Sequence, residues 1–328
     1  MNQPFVSVVI PTYNRKQFLR DTLHSLSEQT FPFSRFEVII VDDGSTENAQ
    51  DILTEEYPFK ISYLQQTNQG DAIARNTGAL NSTADFLVFL DDDILVSKNY
   101  LAAIVAGHAD SRNRIVVGLE FLWLDEERVP MQENSGGSTS SDGQDLEGID
   151  FTAVCSNNMS IMRESYYSVG LMQNLDFPGS SMWCDIDFSY RAFLNGFEFY
   201  RSSSAVCWHR DYVSKNLENQ KRRWKEAAFR AVTLFEKYPM LVQQLPMFND
   251  KTPIDWQVDS ARTILRKLAR GVAASKPFMW ALENAEKHTG KRGRSGNLVQ
   301  SLHRWIIGGT IYQGYREGLR EKSLSSSQ

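Results

Sequence analysis

The sequence predicts an α/β protein, with a Rossmann-like, mostly parallel sheet flanked by helices and a helical C-terminal extension. Two observations support this fold class. Between residues 5 and 93, short apolar runs alternate with segments whose apolar residues recur every three or four positions, which is the order of right-handed β-α-β crossovers. Polar residues follow several of the apolar runs, and the carboxyl ends of parallel strands are where such sheets bind ligands.

The first element is a strand, because FVSVVI (5–10) is a β-branched apolar run that is followed by Pro11. A helix is predicted over 15–29, where apolar residues recur at helical spacing. The same criteria predict further strands at 36–45, 60–66, 85–93, 114–124 and 197–210, helices at 49–57, 70–82, 99–107 and 184–196, and a strand-like segment over 151–165.

The character of the chain changes after His209. Residues 217–238 have an apolar seam at three- and four-residue steps, and further helices are predicted near 255–272 and 296–320. The expected organisation is therefore an α/β domain over 1–212, a helical region over 213–322 and a disordered tail over 323–328.

Three segments have two interpretations each. The Ser/Gly-rich stretch 132–145 is a mobile loop that is either a surface insertion or a lid over an active site. The basic stripe at 221–230 either binds an anionic membrane surface or a lipid diphosphate, or is a solvated helix face packed on the α/β domain. The segment 304–315 is apolar but too short to span a bilayer, so it is an interfacial helix or a dimer contact.

The composition limits the possible functions. Hydrophobic residues make up 41% of the 328 residues, and the net charge of −5 argues against a nucleic-acid partner. Cys155, Cys184 and Cys207 are scattered and form no CxxC pair, which predicts reduced thiols and a cytoplasmic location. The N-terminus lacks the pattern of a signal peptide, and no apolar run approaches the roughly 20 residues of a membrane span.

The segment FLVFLDDDILV (86–96) ends an apolar strand on three aspartates. Asp91 and Asp93 are two residues apart, so in an extended segment their side chains point the same way and Asp92 points opposite. Two converging carboxylates suit Mg²⁺ or Mn²⁺, with water and phosphate oxygens completing the coordination. The alternative is a solvated, Asp-rich turn.

Four further positions carry candidate site residues. Asp42 or Asp43 either accepts hydrogen bonds from a nucleotide base or ribose, or forms an Asx-turn or helix cap. Arg75 either faces a phosphate or forms a salt bridge on the helix surface. Asp185, at the start of a helix, is either a general base or a helix cap. His209, at a strand end, is a metal ligand or a structural residue.

Six motifs occur in one order: VSVVIPTYNR, VIIVDDGS, NQGDAIARNTG, FLVFLDDDI, CDIDFSYRAFLNG and VCWHR. Together they cover residues 5–210 and resemble the family 2 inverting glycosyltransferases, which have the GT-A fold of nucleotide-diphospho-sugar transferases. The resemblance implies a nucleotide-sugar half over about 1–97 and an acceptor half over about 98–212.

The resemblance also implies a role for each matching residue. Asp185 would be the catalytic base, although the acid that usually precedes this base is Cys184 here. Asp93 and His209 would hold the Mn²⁺ or Mg²⁺ cofactor. The nucleotide and donor would be bound by Pro11, Thr12, Tyr13, Asn14, Asp42, Asp43, Arg75, Asp91 and Asp92, and the sugar or acceptor by Asn157, Asn158 and Trp183.

The function implied is metal-dependent, inverting transfer of a sugar from a nucleoside diphosphate sugar, with a UDP-sugar expected, to a hydroxyl of a glycan or lipid-linked acceptor. Cell-surface polysaccharide or glycolipid biosynthesis is the expected setting. Peripheral membrane contact through the C-terminal helices and the formation of oligomers are both compatible with the sequence. One alternative is a non-catalytic nucleotide-sugar or glycan-binding subunit that partners an active transferase. A sugar-1-phosphate nucleotidyltransferase is disfavoured, because PTYNRKQF (11–18) lacks a glycine-rich phosphate loop.

Overall fold

A computed structural model describes residues 5–47, 49–108, 111–124, 127–130, 145–175, 182–210, 216–290 and 296–325. The predicted loop at 132–145 lies, apart from Asp145, outside these residues. The chain divides into two compact units, Met1–Asp211 and Tyr212–Gln328, and each is described by itself below.

In the described part of the first unit, one ten-stranded mixed sheet forms the centre. Its strands are β1 (Val6–Thr12), β2 (Phe36–Asp42), β3 (Lys60–Gln65), β4 (Phe86–Leu90), β5 (Ile94–Val96), β6 (Arg114–Leu124), β7 (Glu127–Pro130), β8 (Leu146–Gly148), β9 (Asn158–Met162) and β10 (Glu198–His209). The order is β3-β2-β1-β4-β9-β6-β10-β5, with β7 paired to β6 and β8 to β10.

The register of the sheet brings polar residues together at the carboxyl ends of its parallel strands, which we call the sheet edge. β1 pairs in parallel with β2 and β4, and Thr12 lies opposite Asp42. β9 runs antiparallel between β4 and β6, so that its first residue, Asn158, lies opposite Leu90 at the end of β4. β10 places His209 beside Ile94 of β5. The carboxyl ends of β1, β2 and β4 therefore meet the start of β9 and the end of β10.

The helices of this unit are α1 (Lys16–Ser27), α2 (Asp71–Leu80), α3 (Tyr100–Ala106), α4 (Arg163–Val169) and α5 (Cys184–Leu194). α2 lies close against β1, because a Cβ added at Gly78 would be 2.2 Å from Cγ1 of Val9. The helix predicted over 49–57 is instead a short 3₁₀ helix, Gln50–Thr54. Glu55 is already extended, and Pro58 disfavours a helical conformation in the residue before it.

The second unit is helical. Its helices are α6 (Leu217–Lys237), α7 (Leu241–Gln244), α8 (Ala261–Ala273), α9 (Lys276–Gly290) and α10 (Gly296–Ser325). α6 packs along α10 at very short range, because a Cβ added at Gly314 would be 2.2 Å from the carbonyl oxygen of Lys225. Buried aromatic rings, those of Phe235, Phe248 and Tyr315, fill the space beside this contact.

The short helix α7 was not predicted, and the helix predicted near 255–272 begins only at Ala261. Two further features of this unit differ from the sequence prediction. α9 was not predicted, and its Pro277 is compatible with a helix because it lies in the first turn. α10 continues to Ser325, so residues 323–325 of the predicted disordered tail are helical, with the hydroxyl of Ser323 donating to the carbonyl of Arg320. None of the described helices combines the length and the apolarity that a membrane crossing requires.

Candidate active site

The three aspartates after β4 form a turn. β4 ends at Leu90, and the N–H of Ile94 donates to the carbonyl of Asp91 over 3.2 Å. The predicted extended conformation is therefore wrong, and alternate side chains need not share a face here. The turn is not the solvated one of the alternative either, because Asp92 and Asp93 are buried. Asp91 is half-buried. Buried carboxylates need compensating partners, and each of the three aspartates has a different set.

Arg75 of α2 compensates Asp91. Its guanidinium is buried, with 1% of the residue exposed, and it forms ion pairs with Asp71 at 2.6 Å and with Asp91. The two acids outweigh the effect of burial and raise the pKa of Arg75 well above its ordinary value. Arg75 thus forms a salt bridge that is buried and not on the helix surface, and its contact with a phosphate stays a prediction.

Arg15 compensates the other two aspartates. Its Nη1 lies 3.1 Å from Oδ1 of Asp92, and its Nη2 lies 2.6 Å from Oδ2 of Asp93. The hydroxyl of Thr12 also donates to Asp92, over 2.8 Å. Burial still dominates at Asp92 and raises the pKa of this carboxyl to about 7, despite both partners. We call Asp91, Asp92 and Asp93, with Arg15 and Arg75, the acidic edge.

His209 completes the charge balance from β10. Its Nδ1 lies 3.0 Å from Oε1 of Glu120, and its Nε2 lies 3.6 Å from Oδ1 of Asp93. Burial alone would lower the pKa of His209, but the two carboxylates outweigh it and raise this pKa to about 10. Burial alone would raise the pKa of Asp93, but His209 and Arg15 outweigh it and lower that pKa. The imidazolium therefore occupies the position between two acids where a cation is favoured.

Glu120 connects His209 to the start of β9. Its Oε2 accepts hydrogen bonds from the side-chain amides of Asn157 and Asn158, over 2.7 and 2.8 Å. The carbonyl oxygen of the Asn158 side chain accepts from the N–H of Gly118. Both asparagines are buried, so these contacts hold them rigidly beside the acidic edge.

Asp93 and His209 form a pair that fits a divalent cation. No donor among the described residues reaches the buried Oδ1 of Asp93, and this oxygen faces Nε2 of His209. Within the described residues there is no group of three or more His, Cys, Asp or Glu side chains that could hold a metal. A cation held by this pair would have two ligands from the described residues, and water and phosphate oxygens can complete such a coordination. Binding would release the proton from His209.

Asp42 and Asp43 are held by local hydrogen bonds. Asp42 accepts from the N–H of Ser45 over 2.8 Å and from the hydroxyl of Tyr63. Asp43 accepts from the N–H groups of residues 69 and 70 and from the amide of Gln66. These contacts support the predicted turn-forming role, since the aspartates order the loops that start α2 and follow β2. Contact with a nucleotide base stays a prediction.

The segment that follows β1 lies at the carboxyl end of this strand, beside the loop after β2. Pro11 and Thr12 are the last residues of β1, Tyr13 is 46% exposed, and Asn14 has a left-handed backbone with φ of 54°. Asn14 accepts hydrogen bonds from both the N–H and the hydroxyl of Thr46 through its Oδ1. An exposed aromatic ring beside fixed polar loops is a suitable surface for a nucleotide base.

Asp185 lies in the first turn of α5, where the helix dipole favours a carboxylate. It is half-buried, and each of its oxygens lies 3.6 Å from a thiol sulfur, Oδ2 from Cys155 and Oδ1 from Cys184. Its charge also acts on Arg75, so it lies near the acidic edge. Trp183, which precedes the helix, has a left-handed backbone with φ of 69°. Among the described residues, the thiols of Cys155 and Cys184 are weak hydrogen-bond donors to Asp185, so neither forms a strong bond with the carboxylate.

Sequence reasoning missed Arg15 and Glu120. Arg15 stands in the quoted motif PTYNR, but its partners are 77 and 78 positions away in the chain. Glu120 had a recognisable signal, because it is the only acid inside the apolar strand RIVVGLEFLWL (114–124). An acid within an apolar run of a strand needs a specific partner, and here that partner is His209.

The sequence profile of the family described as Glycosyl transferase family 2 matches residues 7–170, which is half of the chain. The chain belongs to this family of glycosyltransferases. The match covers β1 to α4 and therefore includes the acidic edge, Glu120 and both asparagines. Asp185 and His209 lie beyond it.

Among curated relatives, this family 2 glycosyltransferase is similar to validoxylamine A glucosyltransferase of Streptomyces hygroscopicus subsp. jinggangensis. The two are 32% identical over 224 residues, which are 59% of this chain and 52% of the relative. The chain thus spans about half the length of that relative.

Two solved structures share the fold. The mannosyltransferase PcManGT from Pyrobaculum calidifontis, in complex with GDP-Man and Mn²⁺, matches with a TM-score of 0.57 and 16% identity over 95% of this chain and 88% of its own. TarS 1–349 of Staphylococcus aureus, in complex with UDP, matches with a TM-score of 0.51 and 16% identity over 99% and 92%. The predicted GT-A fold is confirmed by these likenesses and by the mixed sheet flanked by helices.

Proposed function

We propose that this protein transfers a sugar from a nucleoside diphosphate sugar to an acceptor hydroxyl, with inversion at the anomeric carbon and with the help of a divalent cation. The observation that carries the proposal is the position of Asp185. It is a carboxylate at a helix N-terminus, near the acidic edge, and the thiols beside it are weak hydrogen-bond donors. Such a group is suited to accept a proton.

The donor is proposed to be a UDP-sugar that binds along the carboxyl ends of β1, β2 and β4. TarS binds UDP and PcManGT binds GDP-Man in the structures that share this fold. The exposed ring of Tyr13 and the loop fixed by Asn14 support a base at this position. The other proposed donor-binding residues line the same edge: Pro11, Thr12, Asp42, Asp43, Arg75, Asp91 and Asp92.

The cation is proposed to be held by Asp93 and His209. Their facing oxygen and nitrogen favour Mn²⁺ over Mg²⁺, because Mg²⁺ strongly prefers oxygen ligands. When bound, the ion would neutralise the charge that develops on the leaving diphosphate. Glu120 orients the imidazole of His209 through its other nitrogen, which is the usual outer-shell arrangement for a histidine ligand.

Asp185 is proposed to act as the base in a single displacement. It takes the proton of the acceptor hydroxyl while the hydroxyl oxygen forms a bond to the anomeric carbon. The bond from that carbon to the diphosphate oxygen breaks on the opposite face, and the configuration inverts. One carboxylate suffices, since no covalent glycosyl-enzyme forms.

The acceptor is proposed to be a glycan or a lipid-linked glycan that contacts Asn157, Asn158 and Trp183, in cell-surface polysaccharide or glycolipid biosynthesis. Peripheral membrane contact through the C-terminal helices belongs to this proposal. The basic stripe at 221–230 gives it little support, because Lys221, Lys225 and Arg230 of α6 are already paired with Glu283, Glu317 and Glu226.

Replacing Asp185 with asparagine tests the base. We expect Asp185→Asn to bind UDP in the presence of Mn²⁺ as the wild type does, while release of UDP from UDP-sugars falls about 100- to 10,000-fold. Calorimetry measures the binding, and a UDP-release assay with a panel of sugars and acceptors measures turnover. Asp150→Asn, which changes an exposed carboxylate of the same domain, is the control. Undiminished turnover in Asp185→Asn would remove this residue as the base.

The second candidate function is a non-catalytic nucleotide-sugar or glycan-binding subunit. The observation that favours it is Cys184, a buried thiol at the position of the family's first acid, with a pKa raised well above its ordinary value by burial and by Asp185. Wild-type protein that binds UDP with Mn²⁺ but releases no UDP with any donor and acceptor of the panel would support this alternative.

A further inference from the structure

We infer that the outer face of α8 is a docking surface for an anionic lipid bilayer. The inference rests on the peripheral membrane contact in the proposed function, and it assigns that contact to a helix and a lipid charge. It is supported by an exposed apolar stripe, by arginines beside that stripe that form no ion pair within the described residues, and by exposed tryptophans in the segments before and after the helix.

The apolar stripe consists of Leu265, Leu268 and Val272. These residues are spaced by three and four positions, so they lie on one face of α8. They are 68%, 51% and 65% exposed, although the opposite face of the helix packs inward through Lys267 and Ala273. An amphipathic helix normally buries its apolar stripe, and α8 leaves this one uncovered among the described residues.

The charges of α8 are divided in the same way. The helix has four basic residues and no acid. On the inner side, Lys267 pairs with Asp259 at 2.6 Å and Arg270 pairs with Asp250 at 3.0 Å. Arg262 and Arg266 are exposed, and no ion pair joins either of them to an acid in the part of the chain that the structure describes. They are four residues apart and therefore flank the stripe along one side.

This combination fits a bilayer better than a second copy of the chain. Two copies that met through α8 would bring the unpaired arginines of both helices together, and like charges repel. An anionic lipid surface attracts the same arginines while its acyl region receives the leucines and the valine. The face is both apolar and cationic, which is the composition of helices that lie in a membrane interface.

The segments next to α8 support the same partner. Trp256 precedes the helix and is 75% exposed, and Trp280 follows it in α9 and is 69% exposed. Tryptophan is favoured at membrane interfaces because its ring is apolar while its N–H can bind water or a headgroup. The tryptophans also provide a spectroscopic signal for contact with lipid.

Vesicle binding by the full-length protein tests the inference. We expect co-sedimentation with phosphatidylcholine vesicles that contain about one-third phosphatidylglycerol, and little with pure phosphatidylcholine. The variant Leu265→Ser/Leu268→Ser/Val272→Ser removes the stripe, and Arg262→Gln/Arg266→Gln removes the charges. Each is expected to weaken binding at least about tenfold. Because all five side chains are exposed, both variants should remain folded, which circular dichroism checks.

Matched controls place the effect on α8. Arg222→Gln/Lys225→Gln removes two charges from α6, and Leu80→Ser removes an exposed leucine from the first unit. Both should bind as the wild type does. Equal loss in the α6 variant would show binding by net charge alone and would overturn the assignment, as would wild-type protein that does not bind the anionic vesicles. Light scattering measures the oligomeric state and so tests whether a second copy of the chain covers this face. A stripe variant that dissociates an oligomer without losing vesicle binding would assign the face to a second copy.

The experiment also separates this inference from the proposed transferase function. Vesicle binding needs neither donor nor turnover, and UDP binding with Mn²⁺ is measured on the same preparations without lipid. Protein that binds vesicles through α8 but no nucleotide would leave the docking surface standing and would overturn the transferase proposal. Protein that binds nucleotide and releases UDP but binds no vesicles would support the transferase proposal and would overturn the docking surface.

Discussion

The acidic edge of the first unit and the outer face of α8 are both rich in charged side chains, but only those of the acidic edge are paired with opposite charges among the described residues. At the acidic edge, the half-buried Asp91 pairs with Arg75, and the buried Asp92 and Asp93 pair with Arg15. On α8, Arg262 and Arg266 are exposed and no acid among the described residues pairs with them. A buried charge must be compensated for the chain to fold, while an exposed charge is solvated by water at little cost.

This difference in pairing means that the charges of the two regions contribute differently to the stability of the fold. Charges at the acidic edge are part of the stability of the fold, and a ligand there must replace or rearrange existing partners. Charges on the outer face of α8 contribute little to stability, so they remain available to a partner outside the chain. Substitutions at the two regions should therefore affect stability and binding in different proportions.

The largest effect on stability is expected at Arg75. Arg75→Met removes the buried guanidinium and leaves Asp71 and Asp91 without it, so we expect the free energy of unfolding to fall by about 3 kcal/mol. Urea denaturation followed by fluorescence measures this change. Lys16→Met, which removes a partner from a pair with the exposed Asp51, is the control and should cost at most about 1 kcal/mol. Equal values for the two variants would contradict the contrast between buried and exposed charges.

The next effect is on ligand binding at Asp93. Asp93→Ala removes one of the two proposed metal ligands, so we expect the affinity for UDP in the presence of Mn²⁺ to fall at least about 100-fold. Titration calorimetry measures it, with and without EDTA. In EDTA, the variant and the wild type should bind UDP with the same low affinity, which serves as the control. A metal-dependent gain in affinity that survives in Asp93→Ala would refute the metal assignment.

The smallest effect is expected on α8, where neighbouring residues provide a direct comparison. Arg266→Gln changes an exposed side chain and should alter the free energy of unfolding by less than about 0.5 kcal/mol. Lys267→Gln removes a buried ammonium that donates to Asp259 and to the carbonyl of Pro253, so we expect a loss of about 2 kcal/mol. Thermal and urea unfolding measure both. A larger loss for Arg266→Gln than for Lys267→Gln would reverse the assignment of the two faces of α8.

Much of the fold followed from local patterns. The runs that became β1, β2, β3 and β4 are apolar and β-branched, and the intervening helices carry apolar residues at helical spacing. The candidate aspartates, Asp185 and His209 were found because polar residues at strand ends and helix starts are visible in the sequence. The errors were also local in origin: residues 91–93 are a turn, residues 50–54 are a 3₁₀ helix, and α4, α7 and α9 were not predicted.

The sequence by itself determined where the carboxylates stand along the chain, because strand and helix periodicity and turn residues depend on near neighbours. Only the tertiary structure decided which cation meets which acid. Arg15 and Asp93 are 78 positions apart, and Glu120 and His209 are 89 apart. It also decided that α6 buries its apolar face against α10 while α8 leaves its apolar stripe exposed. Both helices are amphipathic, and the sequence pattern of such a helix does not show what packs against it.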